Sequence, residues 1–187
     1  MNISKTDFKL LGITSLFVAS KNEEIYYPNP EELLNASKEI YLFKEMKKME
    51  FNILKNLKYE VLTASPYQFL TILIQGISED LENKDATLYL SQYILELSLL
   101  DYKMLEFPSS VKACSAIYIA RKLLKFKQAW SQELKAIFKI SDSIIKKCAK
   151  ELMELINFAN KTTLKNCKRK YEKDEKENVA KIIQEFS

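Results

Sequence analysis

The chain contains no histidine. That removes imidazole as a general base, as the partner of a nucleophile and as a metal ligand. Glycine is nearly absent as well: among 187 residues only Gly12 and Gly76 occur. A Walker loop and a dinucleotide-binding fingerprint each need several glycines close together, so both are excluded. The three cysteines, Cys114, Cys148 and Cys167, are widely spaced and odd in number. No Cys-x-x-Cys pair exists, which argues against zinc and against a disulfide framework; reduced thiols in the cytosol or nucleus are the simplest reading. No stretch is apolar for long enough to cross a bilayer. Arginine is scarce, with only Arg121 and Arg169, and the net charge is a mild +4. A domain built to hold phosphates would show a stronger basic excess, so a nucleic-acid partner is not expected. No nucleophile–base pair or carboxylate cluster stands out, so we expect no enzyme active site, no metal site, no cofactor and no small-molecule substrate.

What is present is apolar and charged in helical proportion. Apolar residues make up 47% and charged residues 29%, which fits a folded chain with a sizeable core and a solvated surface. One apolar stretch resembles a leader: Lys5 and Lys9 precede "LLGITSLFVAS", and Val18-Ala19-Ser20 has the look of a cleavage site. Against this, Asp7 lies in what would be the basic flank, and Gly12, Thr14 and Ser15 dilute the apolar segment. We therefore read it as a helix of the folded protein, with a secreted helical protein as the competing class.

All four prolines stand where helices begin or chains turn. Asn29-Pro30-Glu31-Glu32 offers an N-cap, a proline at the first helical position and a glutamate to close a capping box. Ser65-Pro66-Tyr67-Gln68 repeats the device, and Pro108-Ser109 opens a further helix. Ser131 and Ser141 are additional N-caps, ahead of Leu134 and Ile144. The periodicity between these marks predicts helices over 7–24, 30–36, 38–57, 66–76, 85–101, 108–126, 131–139 and 142–159, with no competing strand alternation. Segments 10–20 and 88–100 are apolar nearly all round, the pattern of helices surrounded by others. "LLGITSLFVASK" (10–21) and "VKACSAIYIARK" (111–122) align without a gap, which suggests two related helical units, the first ending near Leu62.

Two charges fall on apolar stripes. Residues three and four apart share a helix face, so Thr14, Phe17, Val18 and Lys21 form one stripe and Phe43, Met46, Glu50, Leu54 and Leu57 another. An unpaired charge without water is costly. Lys21 and Glu50 therefore either pair with each other across packed helices, or face another chain from within an apolar surround, or snorkel to solvent.

Three stretches, "LLGITSLFVASKNEEIYYPNPEEL", "YLFKEMKKMEFNILKNLKYEVLTASPYQFL" and "LYLSQYILELSLLDYKMLEFPSSVKACSAIYIARKLL", resemble the mitotic (A/B-type) cyclins in order and spacing. The matching motifs are Ala19-Ser20-Lys21, Tyr27-Pro28, Met49-Glu50, Glu96-Leu97-Ser98-Leu99-Leu100-Asp101 and Pro108-Ser109, within a match covering roughly residues 8 to 171. The resemblance implies an all-α cyclin fold: helices 3–5 of an N-terminal cyclin box over residues 1–62, a complete second five-helix fold over 63–171, and a charged tail over 172–187. It implies a regulatory subunit that binds and activates a cyclin-dependent kinase in cell-cycle control, in the nucleus and cytoplasm. In the family the matching lysine and glutamate pair and hold backbone groups of the kinase just before its regulatory helix. Lys21 and Glu50 inherit that role, with Val18, Leu54, Leu57, Tyr59 and Val61 as the apolar surround.

The resemblance begins at the third box helix. The first helix, which carries the family's docking surface for Arg-x-Leu motifs, has no counterpart before Phe8, so substrate docking is not carried over. Segment 36–41, "ASKEIY", is shorter than the family norm. Between Lys161 and Lys173 six residues are basic and one, Glu172, is acidic. "KNCKRKY" (165–171) resembles the family's ending of the second fold; a nuclear-localisation patch or a solvated basic face are the other readings. Residues 172–187 are charged, then weakly amphipathic through Val179, Ile182, Ile183 and Phe186, and are expected to fray. The alternative function is that of a cyclin-fold transcription-factor-like domain, binding DNA or transcription proteins.

Overall fold

The computed structural model describes residues 3–37, 41–76, 83–161 and 166–184. Among them the regular structure is helical throughout: α1 (Phe8–Glu23), α2 (Pro30–Ala36), α3 (Phe43–Asn56), α4 (Pro66–Gln75), α5 (Lys84–Ser98), α6 (Ser109–Leu123), α7 (Gln132–Ile137), α8 (Asp142–Lys161), α9 (Asn166–Tyr171) and α10 (Val179–Gln184). Short 3-10 turns lie at Lys5–Asp7, Tyr102–Glu106 and Asp174–Lys176. The chain divides into two compact units, Met1–Thr63 and Ala64–Ser187.

Helix starts follow local chemistry. The Asn29 side chain accepts the Glu31 N–H at 2.9 Å, with Pro30 in the first turn. The expected glutamate closure of a box at Glu32 is not the bond formed there; the amide oxygen of Asn29 caps alone. Ser65 does form a reciprocal box: its hydroxyl accepts the Gln68 N–H at 3.3 Å, and the Gln68 side-chain Oε1 accepts the Ser65 N–H at 2.9 Å. Ser131 accepts the Leu134 N–H at 3.4 Å.

Two ends depart from the sequence reading. The segment 38–57 becomes helical only at Phe43, because Leu42 is extended and the Glu45 carboxylate accepts its N–H at 2.7 Å; residues 38–40 lie outside the described ones. The helix expected to reach 101 ends at Ser98, because the Asp101 carboxylate accepts the Lys103 N–H and caps the 3-10 turn that follows.

The first unit is built on α1, α2 and α3. Its core is Leu10, Phe17, Leu34, Met46, Met49 and Ile53. The expectation that 10–20 would be surrounded holds for only part of its circumference: Thr14, Phe17 and Val18 are buried, while Leu16 is 57% exposed. Among the described residues of this unit, the helices that pack on α1 are α2 and α3. The second unit is larger, with α5 and α6 central. On α5, Leu90, Tyr93, Ile94 and Leu97 are all buried, as its all-round apolar pattern requires.

The core of the second unit does not stop at 171. Val179, Ala180 and Ile183 of α10 are buried in it together with Tyr171 of α9. Val179, Ala180 and Ile183 are therefore core rather than fraying tail. At i, i+1 and i+4 they make one helical face that packs on α5.

Candidate functional site

In the first unit α1 and α3 pack against each other. The buried face of α3 is Met46, Met49 and Ile53, a run at i, i+3 and i+7. The stripe read from sequence as Phe43, Met46, Glu50, Leu54 and Leu57 is therefore not one buried face. Met46 is core, Leu54 is half-buried, and Phe43 and Leu57 are exposed. Glu50 lies one position past Met49, about 100° round the helix, so it stands at the edge of the core rather than inside it.

Lys21 closes the last turn of α1 on the same side. Its Nζ donates to Glu50 Oε1 and sits 4.4 Å from the Phe17 ring centroid. Phe17 in turn meets Tyr27 edge-to-face, with centroids 6.0 Å apart. The ammonium is thus held by one carboxylate and one aromatic face. The pair keeps an open side: the side chains are 32% and 19% exposed for Lys21 and Glu50 respectively.

The end of α3 brings further groups to this rim. The Leu57 N–H bonds the Ile53 carbonyl and the Tyr59 N–H bonds the Leu54 carbonyl, each at 2.9 Å. Lys58 and Tyr59 adopt left-handed φ values of 52° and 62°. Two such residues in succession reverse the chain. The segment beyond them, Tyr59 to Thr63, lines a shallow depression together with Asn22. Tyr59 and Leu57 are 63% and 48% exposed, Val61 is half-buried, and Val18 is buried at 8%. Of the residues expected to surround the pair, Leu57 and Tyr59 are open, Leu54 and Val61 are partly so, and Val18 is covered. Tyr27 and Asn22 were not among the expected residues. Tyr27 carries a signal in its position, next to Pro28 at the exit from α1, but its contact with Phe17 has no sequence periodicity to reveal it.

Elsewhere the motifs serve the fold. Glu96, first residue of the Glu-Leu-x-Leu-x-Asp motif, accepts the Tyr171 hydroxyl at 2.7 Å and also pairs with Lys170. Tyr171 stacks on Tyr93, with centroids 5.1 Å apart. Burial, then the Glu96 carboxylate, pushes the Tyr171 hydroxyl far above its usual range. The basic stretch 165–171 thus contributes Lys170 and Tyr171 to the packing of the second unit. Arg121-Lys122-Leu123-Leu124 spells Arg-x-x-Leu, but Arg121 is buried in α6 and Leu124 is half-buried at the helix's C-terminal cap. Among the described residues no group of His, Cys, Asp and Glu side chains is arranged to hold a metal. No described helix is long and apolar enough to cross a membrane.

An ion pair on the shared rim of two packed helices, in an all-α chain of two units, is the arrangement the resemblance leads one to seek. A family model described as "Cyclin, N-terminal domain" matches residues 1–62, and one described as "Cyclin, C-terminal domain" matches residues 64–185. The chain belongs to the cyclin family. It is 33% identical over 181 residues to the G2/mitotic-specific cyclin-B of Dictyostelium discoideum, covering 96% of this chain and 41% of that protein. It is 31% identical over 181 residues to Cyclin-A1-1 of Oryza sativa subsp. japonica, covering 96% and 36%. It is 31% identical over 180 residues to Cyclin-B1-2 of Arabidopsis thaliana, covering 96% and 40%. The chain spans less than half the length of these relatives.

Proposed function

We propose that this cyclin binds a cyclin-dependent protein kinase through the face around Lys21 and Glu50 and favours the kinase's active arrangement. The observation that carries the reading is the pair itself, formed between α1 and α3 yet open on one side, beside the exposed Leu57 and Tyr59. Lys21 still has donors to give and Glu50 a second oxygen to accept with. Together they can engage both the carbonyl and the N–H groups of a docking backbone. Leu54, Leu57, Tyr59 and Val61 supply apolar area around that polar centre, while Val18 is buried.

The mechanism is binding rather than chemistry. A partner that contacts the active conformation of a kinase better than the inactive one shifts the population toward it. In kinases that conformation requires the regulatory helix to swing in, so that its glutamate meets the phosphate-binding lysine. The relatives are named as A- and B-type cyclins, one of them G2/mitotic-specific, and they do not favour the alternative of a transcription-factor-like domain. A pull-down from cell extract with the purified chain, followed by a histone-kinase assay on the captured material, tests the proposal. Capture of an active kinase is the expected result; recovery of no kinase would reject it.

A further inference from the structure

The second unit carries the same two-helix arrangement as the candidate site, with its charge pattern changed. The gapless alignment of 10–21 with 111–122 sets Phe17, Val18 and Lys21 of α1 against Tyr118, Ile119 and Lys122 of α6. α8 follows α3 in the same way: buried Met46, Met49 and Ile53 match buried Ile145, Cys148 and Leu152. α1 packs on α3 and α6 packs on α8, so the correspondence is one of packing as well as sequence. In this register Leu54 becomes Met153, and Glu50 becomes Ala149.

The loss of that carboxylate changes what the face can bind. Lys122 borders an open cleft of about 510 Å³ between α6 and α8, floored by Ile119, Leu123, Ala149 and Met153. Lys146 and Lys150 border it as well, and no acidic side chain lines it. All three lysines are exposed, and among the described residues none of them is in an ion pair. Three ammonium groups around an apolar floor repel one another until an anionic group comes between them.

We infer that this cleft of the second unit docks a short acidic, leucine- or phenylalanine-bearing peptide segment of a partner protein. The apolar side chains of the segment lie against the half-buried Tyr118 and Met153, over the buried Ile119, Leu123 and Ala149, and its carboxylates replace the one that Glu50 supplies in the first unit. A nucleic acid would be drawn by the same charges, but its sugar–phosphate backbone has nothing to place on the apolar floor, and no arginine lines the cleft. The inference concerns a different face from Lys21 and Glu50 and stands whether or not that face binds a kinase.

Fluorescence anisotropy on the full chain tests it. The probe is a short fluorescein-labelled peptide in which glutamates flank leucines, with a second peptide carrying glutamine at each glutamate. Saturable binding of the glutamate peptide is expected, weakening as salt rises. The triple variant Lys122→Glu, Lys146→Glu, Lys150→Glu is expected to weaken it at least about tenfold, since like charges now face each other. Lys21→Ala is expected to leave it unchanged. The three positions are exposed, so the triple variant should keep the helical circular dichroism and melting midpoint of the parent. Should it not, the single variant Lys122→Ala takes its place, with a smaller weakening expected. The inference is overturned by absence of saturable binding, by equal binding of the glutamine peptide, or by a folded triple variant of full affinity. Tighter binding of a single-stranded oligonucleotide of equal charge at the same lysines would also overturn it.

Discussion

Lys21 and Glu50 are paired, but neither is deeply buried, and that combination separates a structural role from a binding one. A partly exposed ion pair contributes at most about 1 kcal/mol to stability. Lys21→Ala is therefore expected to shift the urea unfolding free energy by less than about that amount, so any larger loss of partner binding must come from the interface. The buried thiols and tyrosines behave differently. Burial raises the Cys114 thiol from its ordinary 9.0 to about 12 and the Tyr93 hydroxyl from 10.0 to about 12, and it raises Cys148 too. Below their ordinary values these groups keep their protons folded or unfolded, and the stability is fully present. Above them only the unfolded chain releases protons, so stability falls as pH rises toward the folded values. Urea unfolding should show this decline beginning near pH 9, and Cys114→Ala should make it shallower between pH 9 and 10. A flat profile up to pH 11 would contradict the burial of these groups. Helical spacing left the Lys21–Glu50 pairing as one of three readings, and the family motif singled it out. Neither revealed that Glu50 lies beside the core stripe, because a stripe read at i, i+3 and i+4 is broad enough to hold both the buried and the bordering residue.

At the scale of elements, the helix starts marked by Ser65 and Ser131 were legible, whereas the start of α3 at Phe43 and the end of α5 at Ser98 were not. The legible starts are fixed by a residue and its near neighbours, as at Ser65 and Ser131. Ser65→Ala removes one half of a reciprocal box and should cost about 1 kcal/mol in urea unfolding, whereas Ser65→Asp should restore most of it. An unchanged midpoint in the alanine variant would show that the box is not formed in solution. The end of α5 depends instead on Asp101, three residues beyond it, capping the next turn. α10 was hidden for a different reason. Val179, Ile182 and Ile183 show only a weak apolar pattern among charged residues, and whether that face is buried depends on the surface that α5 offers, which the local sequence does not display. Truncation after Tyr171 removes Val179 and Ile183 from the core. At about 1.5–3 kcal/mol for each large apolar side chain, it should cost roughly 3–6 kcal/mol, read as a lowered urea midpoint. Retention of the full midpoint would mean that 172–187 is a solvated tail after all.

The whole chain combines two related helical units that present different charges on corresponding faces. In the first, a lysine meets a glutamate; in the second, the lysine is joined by two more and the glutamate position is alanine. The repetition was visible in the sequence as one aligned pair of stretches, but the matching of α3 with α8 emerges only once their buried residues are known. The cyclin assignment rests on the whole length of the chain, and the kinase-binding proposal rests on the small face of the first unit. Calorimetric titration of a purified monomeric cyclin-dependent kinase with four proteins tests that proposal most directly: parent, Lys21→Ala, Glu50→Ala and the double variant. Each single change strands its partner at the interface. We therefore expect each to weaken binding by about tenfold or more, and the double change to weaken it by less than the product of the two. Equal affinity in all four proteins would contradict it.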